Sequence, residues 1–192
     1  LSPGYLYGNI NGGSDQGSML EDGLSWMTEH GTCTVATVGY LEWRKGRQRP
    51  PAAVGESKSY RVIEAYECPS FDAMASALQQ GFFIIEGLMW GNGDNPDRDG
   101  WIPSRLGGAA GGHALCGYGL AQRNGVWGIR TRNSWGASWG IGGNCVIPEA
   151  RFGRAIGGYW AVRAMVQTPV DGWPVPHTSL RKQLYDPFAM RN

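Results

Sequence analysis

A histidine and an asparagine twenty residues apart are the residues in this sequence best suited to chemistry. His113 stands in the string Gly-Gly-His-Ala, and Asn133 stands in the string Asn-Ser-Trp-Gly. An amide oxygen beside an imidazole can accept one ring N–H and hold the other ring nitrogen toward a nucleophile. Trp135 and Trp139 follow the asparagine, and we expect them to shield that hydrogen bond from water, which strengthens it. The pattern is typical of an oriented general base.

Two strands and a tight turn would bring the histidine and the asparagine together. The residue pattern predicts strands over His113–Leu120 and Val126–Arg132, and Arg123-Asn124-Gly125 between them favours a hairpin. His113 then lies at the start of one strand, and Asn133 lies at the end of the other. A lone strand histidine is usually a satisfied structural residue, but the asparagine and tryptophans nearby favour a functional site.

The remaining elements predict an α+β fold in which a small helical part precedes an antiparallel β-barrel or sheet. Apolar periodicity predicts helices over Ser18–His30 and Ser70–Gln80. Residues 1–17 and Arg44–Ser59, which are rich in glycine or in charge and proline, are interpreted as loops. Three further strands are predicted, over Tyr60–Tyr66, Phe82–Met89 and Tyr159–Val166.

The composition favours one strand-rich domain and argues against binding to nucleic acid or to a membrane. The chain has 192 residues, 42% of them hydrophobic, with 31 glycines and nine tryptophans, which suits short strands, tight turns and aromatic packing. Its net charge of +1 offers no basic surface for nucleic acid or an anionic membrane. The most apolar stretch, Gly81–Met89, is interrupted by Glu86 and is far shorter than a membrane-spanning helix of roughly 20 residues.

The cysteines and histidines show no metal-binding spacing, and we expect neither a metal nor a cofactor. No Cys-x-x-Cys pair occurs, and the three histidines, His30, His113 and His177, are scattered along the chain. Cys116 does not suit His113 as a nucleophile, because residues three apart on one strand point to opposite faces. The four cysteines are interpreted as structural thiols with room for one disulfide: Cys33, Cys68, Cys116 and Cys145.

Several strings in the chain resemble papain-family cysteine peptidases. Gly-Gly-His-Ala at residues 111–114 and Asn-Ser-Trp-Gly-x-x-Trp-Gly-x-x-Gly at residues 133–143 resemble the family's His and Asn regions. Leu1-Ser2-Pro3 resembles the Leu-Ser-x stretch that follows the family's nucleophile helix. The resemblance implies a papain-like domain over residues 1–167, followed by an extended, proline-containing tail over residues 168–192.

The resemblance also implies roles for individual residues. It makes His113 and Asn133 catalytic, and it makes Gly12, Gly13 and Gly17 a wall along which the backbone of a peptide or protein substrate lies. The family's nucleophile sits in a Gln-Gly-x-Cys-Gly-Ser-Cys-Trp segment upstream of Leu-Ser-x, and that string does not occur in this chain. We therefore expect the chain to lack the nucleophile helix.

Two functions from different classes follow from this departure. The first is a cysteine peptidase, performing acyl transfer and peptide-bond hydrolysis, whose nucleophilic cysteine lies in a segment outside this chain. The second is a catalytically inactive papain-like module that binds or supports other proteins in an assembly. In either case we expect association with the chain's own N-terminal fragment or with another protein chain, because apolar faces would otherwise be exposed. Nothing in the sequence indicates the cellular compartment.

Overall fold

A computed structural model describes residues 1–153 and 155–166, which fall into two compact units. The described part of the first unit comprises residues 1–65 and 163–166, and that of the second comprises residues 66–153 and 155–162. The predicted tail over residues 168–192, which includes His177, lies outside the described residues.

The described part of the first unit contains four α-helices. They are α1 Pro3–Ile10, α2 Leu20–Glu29, α3 Trp43–Arg47 and α4 Pro51–Ser57. Helix α2 confirms the helix predicted over Ser18–His30, whereas the loops predicted over residues 1–17 and Arg44–Ser59 are wrong. The side chain of Ser2 caps α1, and a proline occupies the first turn of both α1 and α4, where its missing N–H is not needed.

Helices α1 and α3 approach each other so closely that their contact requires glycine. A Cβ on Gly8 would overlap the carbonyl oxygen of Trp43 in α3, and one on Gly4 would overlap that of Gly39 in the loop before α3. A Cβ on Gly46 would in the same way overlap the carbonyl oxygen of Gly4. Close packing therefore offsets the low helix propensity of glycine. The buried apolar cluster of this unit consists of Tyr5, Cys33, Val38 and Ala53.

The described strands form one open sheet, in the order β1-β6-β2-β3-β4-β5. They are β1 Tyr60–Glu67, β2 Phe83–Gly91, β3 Ala110–Arg123, β4 Val126–Arg132, β5 Asn144–Pro148 and β6 Ala155–Val166. Strand β2 pairs with β3 and β6, and β4 pairs with β3 and β5, all antiparallel. The α+β class and the antiparallel sheet are confirmed, in the form of an open sheet rather than a closed barrel. The short strand β5 has no counterpart among the predicted strands.

Helix α5, Phe71–Gln79, covers the core of the second unit. Ser70 accepts the backbone N–H of Ala73 at 3.1 Å, and Gly81 follows the helix with a φ of +81°. These signals confirm the helix predicted over Ser70–Gln80. None of the helices in residues 1–153 and 155–166 has the length and apolar character needed to cross a bilayer. The largest fully buried apolar side chains of this core are Met74, Ile84, Leu88, Ile129 and Ile147.

One carboxyl group lies inside this apolar core. Glu86 on β2 is fully buried, and its two carboxyl oxygens lie 3.3 and 3.2 Å from the hydroxyl of Thr131 on β4. The same hydroxyl lies 3.2 Å from the carbonyl oxygen of Ile129. Burial raises the pKa of Glu86 well above its usual value, and the hydrogen bond from Thr131 opposes that shift. Thr131 donates to Glu86 when the carboxyl is ionised; when the carboxyl is protonated, it can instead donate to Thr131, whose single hydrogen then goes to Ile129.

Candidate active site

His113 and Asn133 meet at one end of the hairpin formed by β3 and β4. Nε2 of His113 lies 3.0 Å from Oδ1 of Asn133. An amide oxygen only accepts hydrogen bonds, so Nε2 carries the ring hydrogen and Nδ1 carries the lone pair that can take a proton. The geometry is that of an imidazole base oriented by a carboxamide.

Neighbouring backbone groups hold the amide of Asn133 in this orientation. The N–H of Ser134 donates to Asn133 Oδ1 at 2.7 Å, and the N–H of Asn133 donates to the carbonyl of Gly143 at 3.0 Å. Exchanging the amide oxygen and nitrogen would point Nδ2 at the N–H of Ser134, so the assignment is fixed. Asn133 is 4% exposed, and its Nδ2 has no hydrogen-bond partner among the described residues. Such a buried unpaired donor costs about 1–3 kcal/mol, and a functional role is one reason to keep it.

A two-residue turn sets the register of the hairpin, and a bulge between Gly117 and Gly119 of β3 shifts that register by one residue toward the open end. Asn124 and Gly125 have φ values of +51° and +81°, as a type I′ turn requires. Arg123 pairs with Val126 beside the turn, and residues 116 and 132 pair at the far end of the ladder. The hairpin predicted from the Asn-Gly pair is confirmed, and its open end carries the histidine and the asparagine.

Indole rings enclose the imidazole on two sides. Trp135 stacks on His113, with ring centroids 4.8 Å apart and an interplanar angle of 25°. Trp90, at the end of β2, meets the imidazole edge-on at 5.6 Å and 70°. Trp139 contacts these two indoles, at 5.9 Å from Trp90 and 5.4 Å from Trp135. The sequence does not predict Trp90 as part of the site. Its position directly after the apolar strand predicted over Phe82–Met89 is the one feature of the sequence that could indicate it.

The chain between Asn133 and β5 is a glycine-rich turn that returns to the asparagine. Gly136 and Gly143 have φ values of +86° and +85°, which favour glycine. A Cβ on Gly143 would lie 2.9 Å from the carbonyl oxygen of Gly136 and 3.0 Å from the guanidinium of Arg132. Arg132 itself donates to the carbonyl of Gly142 at 2.6 Å. Glycine at these positions therefore keeps the asparagine in place.

An open cavity of about 340 Å³ lies beside the imidazole. Its volume falls within the range of ligand-binding clefts. Aromatic rings and amides line it together, with the backbone of neighbouring residues: Trp90, Asn92, Asn95, His113 and Trp135. The cavity is therefore able to take both an apolar group and hydrogen-bonding groups next to the base.

None of the four cysteines is arranged to act as a thiolate. All four are free thiols, so the disulfide for which the sequence left room does not form. Burial raises the pKa of Cys68 and of Cys116 to about 11, raises that of Cys145 to about 12, and raises that of Cys33 as well. Such thiols stay protonated at neutral pH and are poor nucleophiles. Within residues 1–153 and 155–166, no three His, Cys, Asp or Glu side chains cluster as a metal site needs.

The glycines predicted to form a substrate wall lie in an exposed segment between α1 and α2. Gly12, Gly13 and Gly17 have φ values of +62°, +91° and +91°. A Cβ on Gly12 or Gly17 would meet nothing within 4 Å, whereas one on Gly13 would overlap the side chain of Arg47. The hydroxyl of Tyr7 accepts the N–H of Gly17 at 3.0 Å. The backbone of this segment is accessible, and its role toward substrate stays a prediction.

Solved structures resemble this chain, although sequence comparisons find nothing. No protein-family model and no curated protein sequence matches it. Xylellain, a cysteine protease from Xylella fastidiosa, superposes with a TM-score of 0.69 at 20% identity, over 84% of this chain and 69% of its own. The bromelain protease from Ananas comosus gives 0.62 at 17% identity, over 87% and 78%. The clostridial cysteine protease Cwp84 gives 0.65 at 13% identity, over 88% and 48%.

The chain has the fold of these papain-like cysteine proteases. The resemblance drawn from the histidine and asparagine strings is thereby confirmed at the level of the fold. At identities of 20% or less, the likeness does not carry an activity from those proteins to this chain. The chain also spans less than the full length of each of the three structures.

Proposed function

We propose that this chain is the histidine- and asparagine-bearing portion of a papain-like cysteine peptidase, whose nucleophilic cysteine comes from a segment outside the chain. The observation that carries the proposal is the 3.0 Å contact between His113 Nε2 and Asn133 Oδ1 in a papain-like fold. A purely structural domain has no chemical need for an imidazole oriented by an amide and covered by Trp135. The raised pKa values of the chain's own thiols support a nucleophile from elsewhere.

In the proposed reaction His113 accepts and releases one proton. Nδ1 takes the proton of a cysteine thiol within hydrogen-bond reach, and the thiolate attacks the carbonyl carbon of a peptide bond. The protonated ring gives that proton to the leaving amine as the C–N bond breaks. Water then cleaves the thioester with the same base, releasing the acid and restoring the thiol. Asn133 Oδ1 holds the Nε2 hydrogen throughout and so stabilises the charged ring.

Substrate and partner follow from the same proposal. The substrate is a peptide or protein whose backbone lies along Gly12, Gly13 and Gly17. The chain associates with its own N-terminal fragment or with another protein chain, which carries the nucleophile. Sedimentation of the natural protein should therefore show a complex larger than the 20.8 kDa chain. A stable, folded species with the mass of the chain alone contradicts this part of the proposal.

Joining the proposed nucleophile segment to the chain tests the activity. The reading frame upstream of Leu1, or the partner chain, is expressed together with residues 1–192, and the product is treated with a thiol-reactive probe. We expect one cysteine of the added segment to be labelled, and we expect E64, the inhibitor in the bromelain structure, to block that labelling.

Two substitutions complete this test. His113→Ala should lower labelling and peptide hydrolysis by about 10²–10⁴-fold, the usual contribution of a general acid–base. His30→Ala, which leaves the candidate pair intact, is the matched control and should change neither. A folded product that carries an upstream cysteine and is neither labelled nor active contradicts the proposal.

A second candidate function is a catalytically inactive papain-like module that binds or supports other proteins. One observation favours it: the largely buried thiols of this chain do not suit catalysis. Under this function, neither the upstream reading frame nor the partner chain encodes a Gln-Gly-x-Cys string, and the complex forms without any probe labelling. The labelling experiment therefore separates the two functions.

A further inference from the structure

Asp94 and Arg151 form a buried ion pair in the second unit. The guanidinium donates two parallel hydrogen bonds, from Nη1 to Oδ1 at 3.0 Å and from Nη2 to Oδ2 at 2.7 Å. Asp94 is 1% exposed and Arg151 is 5% exposed. Burial opposes the ionisation of Asp94, but hydrogen bonds from Arg151 and from the N–H of Gly91 outweigh it and hold its pKa below the usual value. The pair is therefore charged, bidentate and shielded from solvent.

The ion pair holds the backbone on both sides of Trp90. Arg151 Nη2 donates to the carbonyl of Met89 at 2.9 Å, and Asp94 Oδ2 accepts the N–H of Gly91 at 2.7 Å. These two groups belong to the residues that flank Trp90 in the chain. The position of the Trp90 backbone is thus set by two side chains that do not themselves belong to a strand.

The same ion pair fixes the loop that follows β2. Arg151 Nη1 donates to the carbonyl of Pro103 at 3.1 Å, and the N–H of Gly107 donates to Asp94 Oδ1 at 3.3 Å. This loop supplies Asn92 and part of the lining of the cavity beside the imidazole. One charge pair therefore holds the strand end and the loop in a single arrangement.

Trp90 transmits this restraint to the candidate site. Its ring meets His113 edge-on at 5.6 Å and stands perpendicular to Trp135 at 5.9 Å and 87°. Trp135 in turn stacks on the imidazole. We propose that the ion pair of Asp94 and Arg151 is a positioning device for the candidate site, which acts through Trp90 on the orientation of the imidazole and of the indole stacked on it.

Stability alone does not account for two charges at this place. Exchanging a buried ion pair for apolar side chains of similar volume is often neutral or stabilising. Apolar side chains, however, cannot bind the carbonyl of Met89 or the N–H of Gly91. Lysine at position 151 keeps the charge but lacks the planar fork that reaches Asp94 and Met89 together. The geometry of the guanidinium is therefore the property that the site uses.

Variants of the whole chain test this inference, which rests on the proposed function only for its activity readout. Asp94→Leu/Arg151→Met removes both charges, and Arg151→Lys keeps the charge without the fork. Asp97→Asn/Arg123→Lys is the matched control, because it weakens a half-exposed ion pair, 2.7 Å long, that involves the same loop. The main readout is the NMR shift of the His113 ring protons, which lie over the Trp135 indole and are moved upfield by it. Near-ultraviolet circular dichroism of the tryptophan cluster is the second readout.

We expect both variants of the buried pair to move the His113 ring protons downfield and to weaken the near-ultraviolet signal. The control should leave the ring-proton shifts unchanged; its near-ultraviolet signal is not compared, because Arg123 packs on the Trp101 indole. In the assembled peptidase, kcat should fall about 10²-fold with little change in KM, the effect of a misplacement of about 1 Å. A folded Asp94→Leu/Arg151→Met chain with wild-type ring-proton shifts overturns the inference, as do equal changes in the control.

Arg151→Lys decides the question by the same readout if the double variant does not fold. Wild-type ring-proton shifts in that variant overturn the inference, and downfield shifts support it. Altered shifts together with an absence of peptidase activity in the assembled wild type refute the proposed function and leave the positioning inference standing.

Discussion

Replacing Glu86 by glutamine is expected to stabilise the folded protein at neutral pH. The unfolded chain releases the proton of this carboxyl at a pKa of about 4.3, whereas burial raises the pKa well above that value in the folded protein. Between the two pKa values the folded state therefore holds one proton more than the unfolded state. Stability is fully present below the unfolded pKa and is lost as the pH rises toward the folded pKa.

The magnitude follows from this proton linkage. One proton of difference removes about 1.4 kcal/mol of unfolding free energy for each pH unit within the interval. Even one such unit is a sizeable share of the 5–15 kcal/mol that stabilises an ordinary domain. Glutamine keeps the shape of the side chain and can donate to Thr131, but it has no proton to lose. The advantage of Glu86→Gln over the wild type should therefore grow with pH.

Urea unfolding of both proteins at several pH values between about 5 and 8 measures this difference. Glu149→Gln, which alters an exposed carboxylate of the second unit, is the control and should give no such trend. The reasoning is refuted if the difference between wild type and Glu86→Gln stays constant with pH, or if it grows toward acid.

Three further outcomes are expected. The native thiols should react slowly with an aromatic disulfide reagent near neutral pH and quickly after unfolding, because burial holds the pKa of three of them at about 11 or 12; a fast native thiol contradicts this. Gly143→Ala should lower the free energy of unfolding by roughly 1–3 kcal/mol, seen as a lower urea midpoint, because alanine is strained at a φ of +85°. Gly153→Ala, where a Cβ meets nothing within 4 Å, should leave the midpoint unchanged. Tyr159→Phe should lower the free energy of unfolding by about 1–3 kcal/mol, because the buried carbonyl of Phe152 loses its O–H donor. Tyr118→Phe, on an exposed ring, should lower it little. Equal unfolding free energies for the two variants contradict the assignment of this hydrogen bond.

The hairpin that carries the candidate pair could be predicted from sequence because its rules are local. An Asn-Gly pair selects the turn type, and strand alternation places side chains on faces. His113 and Asn133 then approach each other without any knowledge of the rest of the chain. The tryptophans that follow Asn133 belong to the same contiguous string, so Trp135 could be associated with the imidazole as well.

Helix α1 could not be predicted, because its glycines oppose a helix when only nearby residues are considered. Gly4 is explained by the backbone of Gly39 just before α3, and Gly8 is explained by the backbone of Trp43 in α3. Both partners lie 35 residues further along the chain. Tertiary packing thus decides a segment whose composition is typical of a loop.

Long-range pairs explain the remaining difference between sequence and structure. Asp94 and Arg151 are 57 residues apart, and each is a single charged residue in an ordinary polar segment. Trp90 can be assigned to the site only once the pairing of β2 with β3, which places it beside His113, is known. Strand pairing over such separations has no signature in a single sequence.

The two-residue turn of the hairpin also limits which insertions and deletions a relative of this chain can tolerate. Side chains alternate along β4, so one residue gained or lost there, without a bulge such as the one between Gly117 and Gly119 of β3, reverses the parity of every later position and turns the asparagine away from the histidine. Residues added at Asn124 and Gly125 leave the ladder untouched. Among distant relatives that keep the pair, the spacing between the two residues should therefore vary at the tip of the hairpin and be constant within its strands.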